Sequence, residues 1–473
     1  GGFVGVDVFF VISGYLITTI LIEDIENNRF SIINFYERRA RRILPALFFI
    51  MLVCIPFAWM WMLPSQMKDF SQSLVAVSLF ASNILFWRES DYFGAAAEEK
   101  PLLHTWSLAV EEQYYLLFPI FLILAWHFGK NRVFSMIVFI AAISLLLSEW
   151  GWRNQANANF YLAPTRAWEL FAGSIASFIV QRHGVQKNNF FAILGLALII
   201  FSIFVYDETT PFPSVYALVP VLGVVLFVLY AEKETLAAKL LSTKVFVRIG
   251  LISYSAYLWH QPLFAFARVR MLDHPSSLQM LILSILSLLI AYFSWRYVEK
   301  TFRGKVFRRN FFFIMAVFGF LVFTIIGIAG HKTDGFSDRS VFQSIKTYQS
   351  TLSEASSGFR HCESHPYFIE GLEGKICLIG DLSKEPIGLL WGDSYGGAAL
   401  HGIDNFLRSE EKSYIAILSD GCPPIPGISR GRNAFNCNPE RHSNVLTWFI
   451  KQTEINELVW VGRFRSISGN SKA

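Results

Sequence analysis

The chain of 473 residues is 53% hydrophobic and only 16% charged, against about 25% charged in an ordinary soluble domain, so most of it belongs in lipid. Its net charge of +5 comes largely from arginine and lysine clusters that read as membrane-topology signals, which argues against a nucleic-acid surface. The chain opens at Gly1 without a methionine and stops soon after a strand-like run at 457–461. The expectation is a fragment at both ends, with no signal peptide needed if a preceding helix directs insertion.

Apolar stretches near the ~20 residues a crossing needs recur at 4–22, 44–63, 71–87, 106–126, 133–148, 165–181, 189–206, 213–230, 250–270, 276–296 and 311–330. Three basic clusters orient them: Arg38, Arg39, Arg41 and Arg42; Lys233 to Arg248; and Arg296 to Arg309. All three are expected on the cytoplasmic side. With residue 1 and the C-terminal domain both outside, the number of crossings must be even. The stretch 71–87, interrupted by Ser71, Gln72, Ser73, Ser78, Ser82 and Asn83, is therefore assigned to a re-entrant or interfacial helix lining a cavity.

Ionisable groups inside such spans are costly and mark candidate sites. Asp7 lies near the start of the first. His104, Glu111 and Glu112 lie at the mouth of another, with Ser107 and Glu111 on one helix face. The bland alternative is a carboxylate pairing with arginine to hold helices together, and it applies at least as well to Arg166 with Glu169. His260, near Ser253, Tyr254 and Tyr257, is suited to proton transfer or equally to packing. The arginine cluster at 38–42 anchors topology, and it is also suited to the phosphates of an anionic donor.

After residue 330 the composition changes. A Ser-, Thr- and Lys-rich linker at 331–360 leads to a domain from 361 in which short apolar runs at 376–380, 387–391, 414–418 and 457–461 alternate with helical patterns. That alternation suggests a parallel α/β sheet. Gly392-Asp393-Ser394 ends the second run and is followed by small residues, the arrangement that presents a serine at a strand-to-helix turn. Such a serine needs a histidine base: His401 is too close in sequence, His442 is a candidate, and a base beyond residue 473 is preferred. Cys362, Cys377, Cys422 and Cys437 all follow the last span, while Cys54 lies within one. Their even number points to two disulfides of unassigned pairing, each worth roughly 3 kcal/mol, and to an oxidising compartment. Metal binding competes, but no Cys-x-x-Cys spacing occurs.

In these motifs the chain resembles the acyltransferase-3 family of membrane acyltransferases, in the form fused to a C-terminal SGNH domain. The residues that carry the resemblance are Gly5 to Ile17, Arg38 to Pro45, 104–119, 165–173 and 253–262, in order, then Gly392-Asp393-Ser394. It implies a polytopic α-helical membrane domain over 1–330 and an incomplete three-layer SGNH-like domain over 361–473. The implied activity is O-acylation of a cell-envelope glycan, such as lipopolysaccharide O-antigen, with cytoplasmic acyl-CoA (acetyl-CoA) as donor substrate and no bound cofactor or metal. The location implied is a bacterial inner membrane with the C-terminal domain periplasmic. His104 and Glu111 would act in catalysis beside Asp393 and Ser394, and Gly421 would contribute to an oxyanion site. Ser13, Arg38, Arg39, Arg41, Arg42, Arg166, Glu169 and His260 would line the donor and acyl route. The family's first-helix arginine and histidine and the SGNH Asp-x-x-His block have no counterpart in this sequence, and the third-block asparagine has no clear match. Two other classes compete: a transporter or flippase, which leaves the Gly-Asp-Ser segment unexplained, and a membrane-anchored esterase, which leaves the 104–113 and arginine segments idle.

Overall fold

The computed structural model describes residues 2–89, 97–207, 209–271, 275–304, 307–339, 376–392, 394–418 and 439–461. Two compact units emerge, Gly1–Arg339 and Ser340–Ala473.

The first unit is helical: α1 Val4–Glu26, α2 Ile32–Trp61, α3 Pro64–Ser78, α4 Ser82–Glu89, α5 Thr105–Trp126, α6 Lys130–Asn154, α7 Ala156–Tyr161, α8 Ala163–His183, α9 Asn189–Val205, α10 Leu218–Tyr230, α11 Leu236–Leu241, α12 Lys244–Arg270, α13 Ser277–Ser294, α14 Lys300–Arg303 and α15 Arg309–Lys332. By length and apolarity six segments are able to cross a membrane: α1, α2, α5, α6, the continuous Ser277–Arg303 and α15. α9 is apolar but short. α8 and α12 are long enough, yet Arg166 and Glu169 in α8, and Ser253, Tyr254, Ser255, Tyr257, His260 and Gln261 in α12, lower their apolarity. The stretch expected at 71–87 is two helices, broken at Phe80, which adopts φ 50°. Its Ser71, Ser73 and Ser78 hydroxyls donate to carbonyls four residues back. Those three hydroxyls are satisfied within their own helix, whereas Ser82 donates to the Thr105 carbonyl at 2.9 Å and Asn83 pairs with Gln113 of α5.

α1 and α8 pack at backbone contact. A Cβ on Gly14 would lie 1.9 Å from the Leu170 carbonyl oxygen, and one on Gly173 2.0 Å from that of Val11. Small residues thus set the crossing, as is common between helices in lipid. Thr18 donates to Ser174 across it at 2.9 Å. This crossing is what places the start of α1 against Arg166.

The second unit carries a four-stranded sheet of order β1-β3-β2-β4, formed by β1 Ile376–Gly380, β2 Pro386–Gly392, β3 Ser413–Leu418 and β4 Glu457–Val461. The strands β3, β2 and β4 run parallel, as the alternating pattern implies. β1 joins β3 antiparallel at the edge, so the sheet is mixed rather than wholly parallel. The helix α16, Ser394–Ser409, packs Leu400 and Leu407 on the face bearing Leu390, Tyr414 and Ala416. The helix α17, Pro439–Lys451, packs Val445 on the other face against Leu389, Trp391 and Ile415. Alternate burial of successive strand residues on two helices makes the three-layer arrangement.

Candidate functional site

Two cavities open at the two ends of α1. At its C-terminal end, a cavity of about 570 Å³ is lined by Glu37, Arg38, Arg39, Arg41, Arg42, Arg303 and Arg309 beside Ile20 and Asn34. The arginines at 38–42 lie inside α2, which starts at Ile32 behind an N-cap at Ser31 and continues into the apolar run expected from residue 44. Arginine is a good helix former, and Glu37 ties Arg41 at 2.9 Å and Arg309 at 2.6 Å. Arg38 pairs with Asp24 at 2.9 Å. Arg303 pairs with the buried Glu299, which ends a π-helical turn at Trp295–Glu299 and also accepts from Ser255 at 2.9 Å. Among the described residues Arg39 and Arg42 have no ion-pair partner. Arg39 lies over the Phe35 and Tyr115 rings, at 5.9 and 5.3 Å, with Glu111 and Glu112 as its nearby acidic charges. Half-buried guanidinium forks with no carboxylate at ion-pair distance are suited to phosphate.

At the other end, a cavity of about 620 Å³ is lined by His104, Trp106, Ser107, Arg166, Tyr257 and His260, with Phe9 of α1. The His104 and His260 rings lie 5.4 Å apart. Tyr257 donates to the His104 carbonyl and lies 2.8 Å from Ser107 Oγ. Both His104 ring nitrogens are buried without a partner among the described residues. Phe9 and Ile20 are about 16 Å apart at ~1.5 Å per helical residue, so only a short polar stretch has to separate the two cavities.

That stretch is built by Ser13, Glu111 and Tyr115. Ser13 and Tyr115 both donate to Glu111 Oε1, and Tyr115 lies 2.9 Å from Ser13 Oγ. Arg39 rests on the far face of Tyr115. Glu111 therefore joins Ser13, expected on the donor and acyl route, instead of His104, which sits seven positions earlier and roughly 10 Å along the helix. The Ser107–Glu111 face read from the sequence is real, but Ser107 turns to Tyr257. Glu112 Oε1 is buried beside this cluster without a hydrogen-bond partner among the described residues.

Arg166 answers two carboxylates, Asp7 and Glu169, each at 3.1 Å, with all three side chains at most 1% exposed. The Phe10, Trp106, Phe160 and Phe212 rings surround the guanidinium at 5.5–6.0 Å. The Arg166–Glu169 pair expected to hold helices together lies within α8, and the interhelical partner is Asp7 of α1. A buried charge so paired is expensive to break.

In the second unit Ser394 opens α16 immediately after β2, the strand-to-helix placement expected of it. Gly392 is needed there: a Cβ would lie 2.9 Å from the Val461 carbonyl oxygen and 3.0 Å from Gly396 Cα. His401 lies further along the same helix and is exposed, with Nε2 3.1 Å from Asn405 Nδ2. His442 belongs to α17, on the opposite face of the sheet. Cys377 is buried in β1. Asp393, Gly421, Cys362, Cys422 and Cys437 lie outside the described residues. No group of three or more metal-ligating side chains occurs among the described residues.

The sequence reading missed Tyr115, Tyr257, Glu299, Arg303 and Arg309 as site residues. Tyr115, one turn beyond Glu111, and Tyr257, one turn before His260, carried a local signal, and Arg303 and Arg309 were read only as part of a topology cluster; Glu299 meets the site through tertiary packing alone.

Together, a helical membrane unit with an arginine-lined and a histidine-lined cavity, followed by an α/β unit with a serine at a strand-to-helix turn, defines a membrane acyl-transfer architecture. Residues 1–296 match the family described as an acyltransferase domain, and 361–472 match the SGNH domain fused to such domains; the chain belongs to this acyltransferase family. It is 30% identical over 325 residues to the O-acetyltransferase OatA of Staphylococcus aureus, covering 65% of this chain and 54% of that protein. It is 30% identical over 331 residues to the peptidoglycan O-acetyltransferase OatA of Listeria monocytogenes, covering 66% and 53%. With the putative peptidoglycan O-acetyltransferase YrhL of Bacillus subtilis the identity is 28% over 330 residues, covering 65% and 51%. The chain thus spans about half the length of these relatives. No solved structure matches it.

Proposed function

We propose that the protein is a membrane O-acetyltransferase that moves an acetyl group from acetyl-CoA to a hydroxyl of a cell-envelope glycan on the other side of the bilayer. The observation that carries this reading is the pair Arg39 and Arg42, which line a 570 Å³ cavity without an ion-pair partner among the described residues. A phosphate-rich donor supplies the missing anion. Glu111, hydrogen-bonded by Ser13 and Tyr115, stands between that cavity and the one holding His104, Tyr257 and His260. Overall, the acceptor hydroxyl oxygen forms a bond to the thioester carbonyl carbon, the carbon–sulfur bond breaks, and the thiol leaves with the hydroxyl proton. A carboxylate or imidazole at hydrogen-bond reach of the hydroxyl is the ordinary base for such a step.

Ser394 is proposed as a second station, accepting the acetyl group and passing it to the glycan. Asp393, Gly421 and a two-disulfide framework of Cys362, Cys377, Cys422 and Cys437 belong to the same proposal. So do an inner-membrane location, an extracytoplasmic second unit, and donor phosphates bound by the arginines. The printed names of two relatives favour peptidoglycan as acceptor; lipopolysaccharide O-antigen is the acceptor that the sequence motifs suggested. A flippase is disfavoured because it gives the Ser394 turn no role, and an anchored esterase because it gives the arginine cavity none.

Acetyl-CoA carrying a radiolabelled acetyl group, supplied to membranes containing the full protein, should label an envelope glycan. Label that never leaves the acetyl-CoA and free-acetate pools contradicts the reading. Isolated glycan that carries the ester identifies the acceptor.

A further inference from the structure

The same end of α1 carries a second basic cavity that the transfer route does not use. It measures about 490 Å³ and is lined by Lys130, Asn131, Phe134, Phe178, Arg182 and His183, between the start of α6 and the end of α8. Its place at the arginine-bearing membrane edge is fixed by Lys130, whose ammonium binds Glu26, the last residue of α1, at 2.6 Å. Gln181 Oε1 accepts a second, longer bond from Lys130 at 3.4 Å. The third ammonium proton is left over. Arg182 and His183 are exposed, and neither has an ion-pair partner among the described residues. α6 begins at Lys130 without a side-chain cap, so its first amides add positive potential in the same cavity. Phe134 and Phe178, with ring centroids 5.8 Å apart, form an apolar wall beside these cations.

Cations in the last turn of α8 also oppose the helix dipole, and that role alone would explain Arg182 and His183 on a plain helix end. It explains neither the cavity nor the aromatic wall, nor the Lys130 ammonium from another helix. Basic cavities between membrane helices on the cytoplasmic side bind anionic lipid headgroups. The aromatic wall suits the glycerol and upper acyl chain, and the cations suit the phosphate. We propose that this cavity is a binding site for the phosphate headgroup of an anionic phospholipid, distinct from the donor cavity. It does not depend on the acetyl-transfer reading.

The test reconstitutes the full protein in nanodiscs of phosphatidylcholine, with or without phosphatidylglycerol. A ligand that binds the folded state raises the unfolding temperature by mass action. Phosphatidylglycerol should raise the Tm of the wild type, and Arg182→Gln combined with His183→Gln should lose at least half of that rise. Lys233→Gln with Lys239→Gln, a loss of at least as much charge away from the cavity, should leave the rise intact. An undiminished rise in the Arg182/His183 variant overturns the proposal. So does reproduction of the rise by inorganic phosphate in pure phosphatidylcholine, which marks a free-phosphate site. If the double variant does not fold, a photoactivatable phosphatidylglycerol on the wild type decides: crosslinks at 130–134 and 178–183 support the site, and crosslinks confined to other segments refute it.

Discussion

Replacing Arg166 with Met removes the one cation shared by two fully buried carboxylates. Asp7 and Glu169 each lie 3.1 Å from its guanidinium and neither is exposed, so the substitution leaves two uncompensated groups in a low-dielectric interior. Breaking a buried pair of this kind costs about 3–5 kcal/mol. The four aromatic rings around the guanidinium add a cation–π loss of roughly 0.5–2 kcal/mol. Asp7→Asn is the informative contrast. It leaves Arg166 with Glu169 as a one-to-one pair and should cost much less than Arg166→Met. The triple variant Arg166→Met, Asp7→Leu, Glu169→Leu should recover most of the loss, since replacing a whole buried ion cluster by apolar groups of similar size is often neutral. Thermal unfolding of the purified full protein in detergent, followed by tryptophan fluorescence, reads all three. If Arg166→Met unfolds with the wild type, or the triple variant is no more stable than Arg166→Met, the triad does not hold α1 to α8.

Other variants separate packing from transfer. Gly14→Ala places a Cβ 1.9 Å from the Leu170 carbonyl oxygen and should lower Tm sharply, whereas Gly250→Ala, where nothing lies within 4 Å, should not. Arg39→Ala with Arg42→Ala should raise the KM for acetyl-CoA by at least about tenfold, the worth of one charge-assisted hydrogen bond of ~1.5 kcal/mol, while Tm moves little; an unchanged KM removes these arginines from the donor site. Glu111→Gln keeps the shape of the Ser13–Tyr115 cluster but loses its charge, and should lower kcat with an unchanged acetyl-CoA KM; an unaffected kcat excludes Glu111 from the chemistry. Ser394→Ala should abolish glycan labelling while acetyl-CoA still binds; undiminished labelling excludes a required serine relay.

Helix and strand identity was largely legible because it rests on periodicity. The four strand runs and the long helices fall where alternation and apolar length place them. The serine turn was legible for the same reason: an apolar run, a glycine and a small-residue helix are all local. The grouping of site residues was not. Asp7 and Arg166 are far apart in sequence and meet only because Gly14 and Gly173 let α1 and α8 touch. Arg303 and Arg309 join the arginines of α2 through the fold at the base of α15. The i, i+4 relation of Ser107 and Glu111 pointed the wrong way because helical spacing fixes a shared face but not which neighbouring helix each side chain meets. The polar residues of the 71–87 stretch suggested a cavity wall; Ser71, Ser73 and Ser78 bond carbonyls of their own helix, while Gln72, Ser82 and Asn83 bond other segments.

The central claim is that an acetyl group enters at the arginine-lined cavity and leaves on the other side of the membrane. Sealed vesicles of known orientation, bearing the full protein and a glycan acceptor on one face only, test it directly when labelled acetyl-CoA is confined to the face bearing Arg39 and Arg42. Acetyl label on the glycan across the bilayer, lost in the Arg39/Arg42 double variant, is the result predicted here. Glycan labelling only when acetyl-CoA and glycan share a face would contradict it.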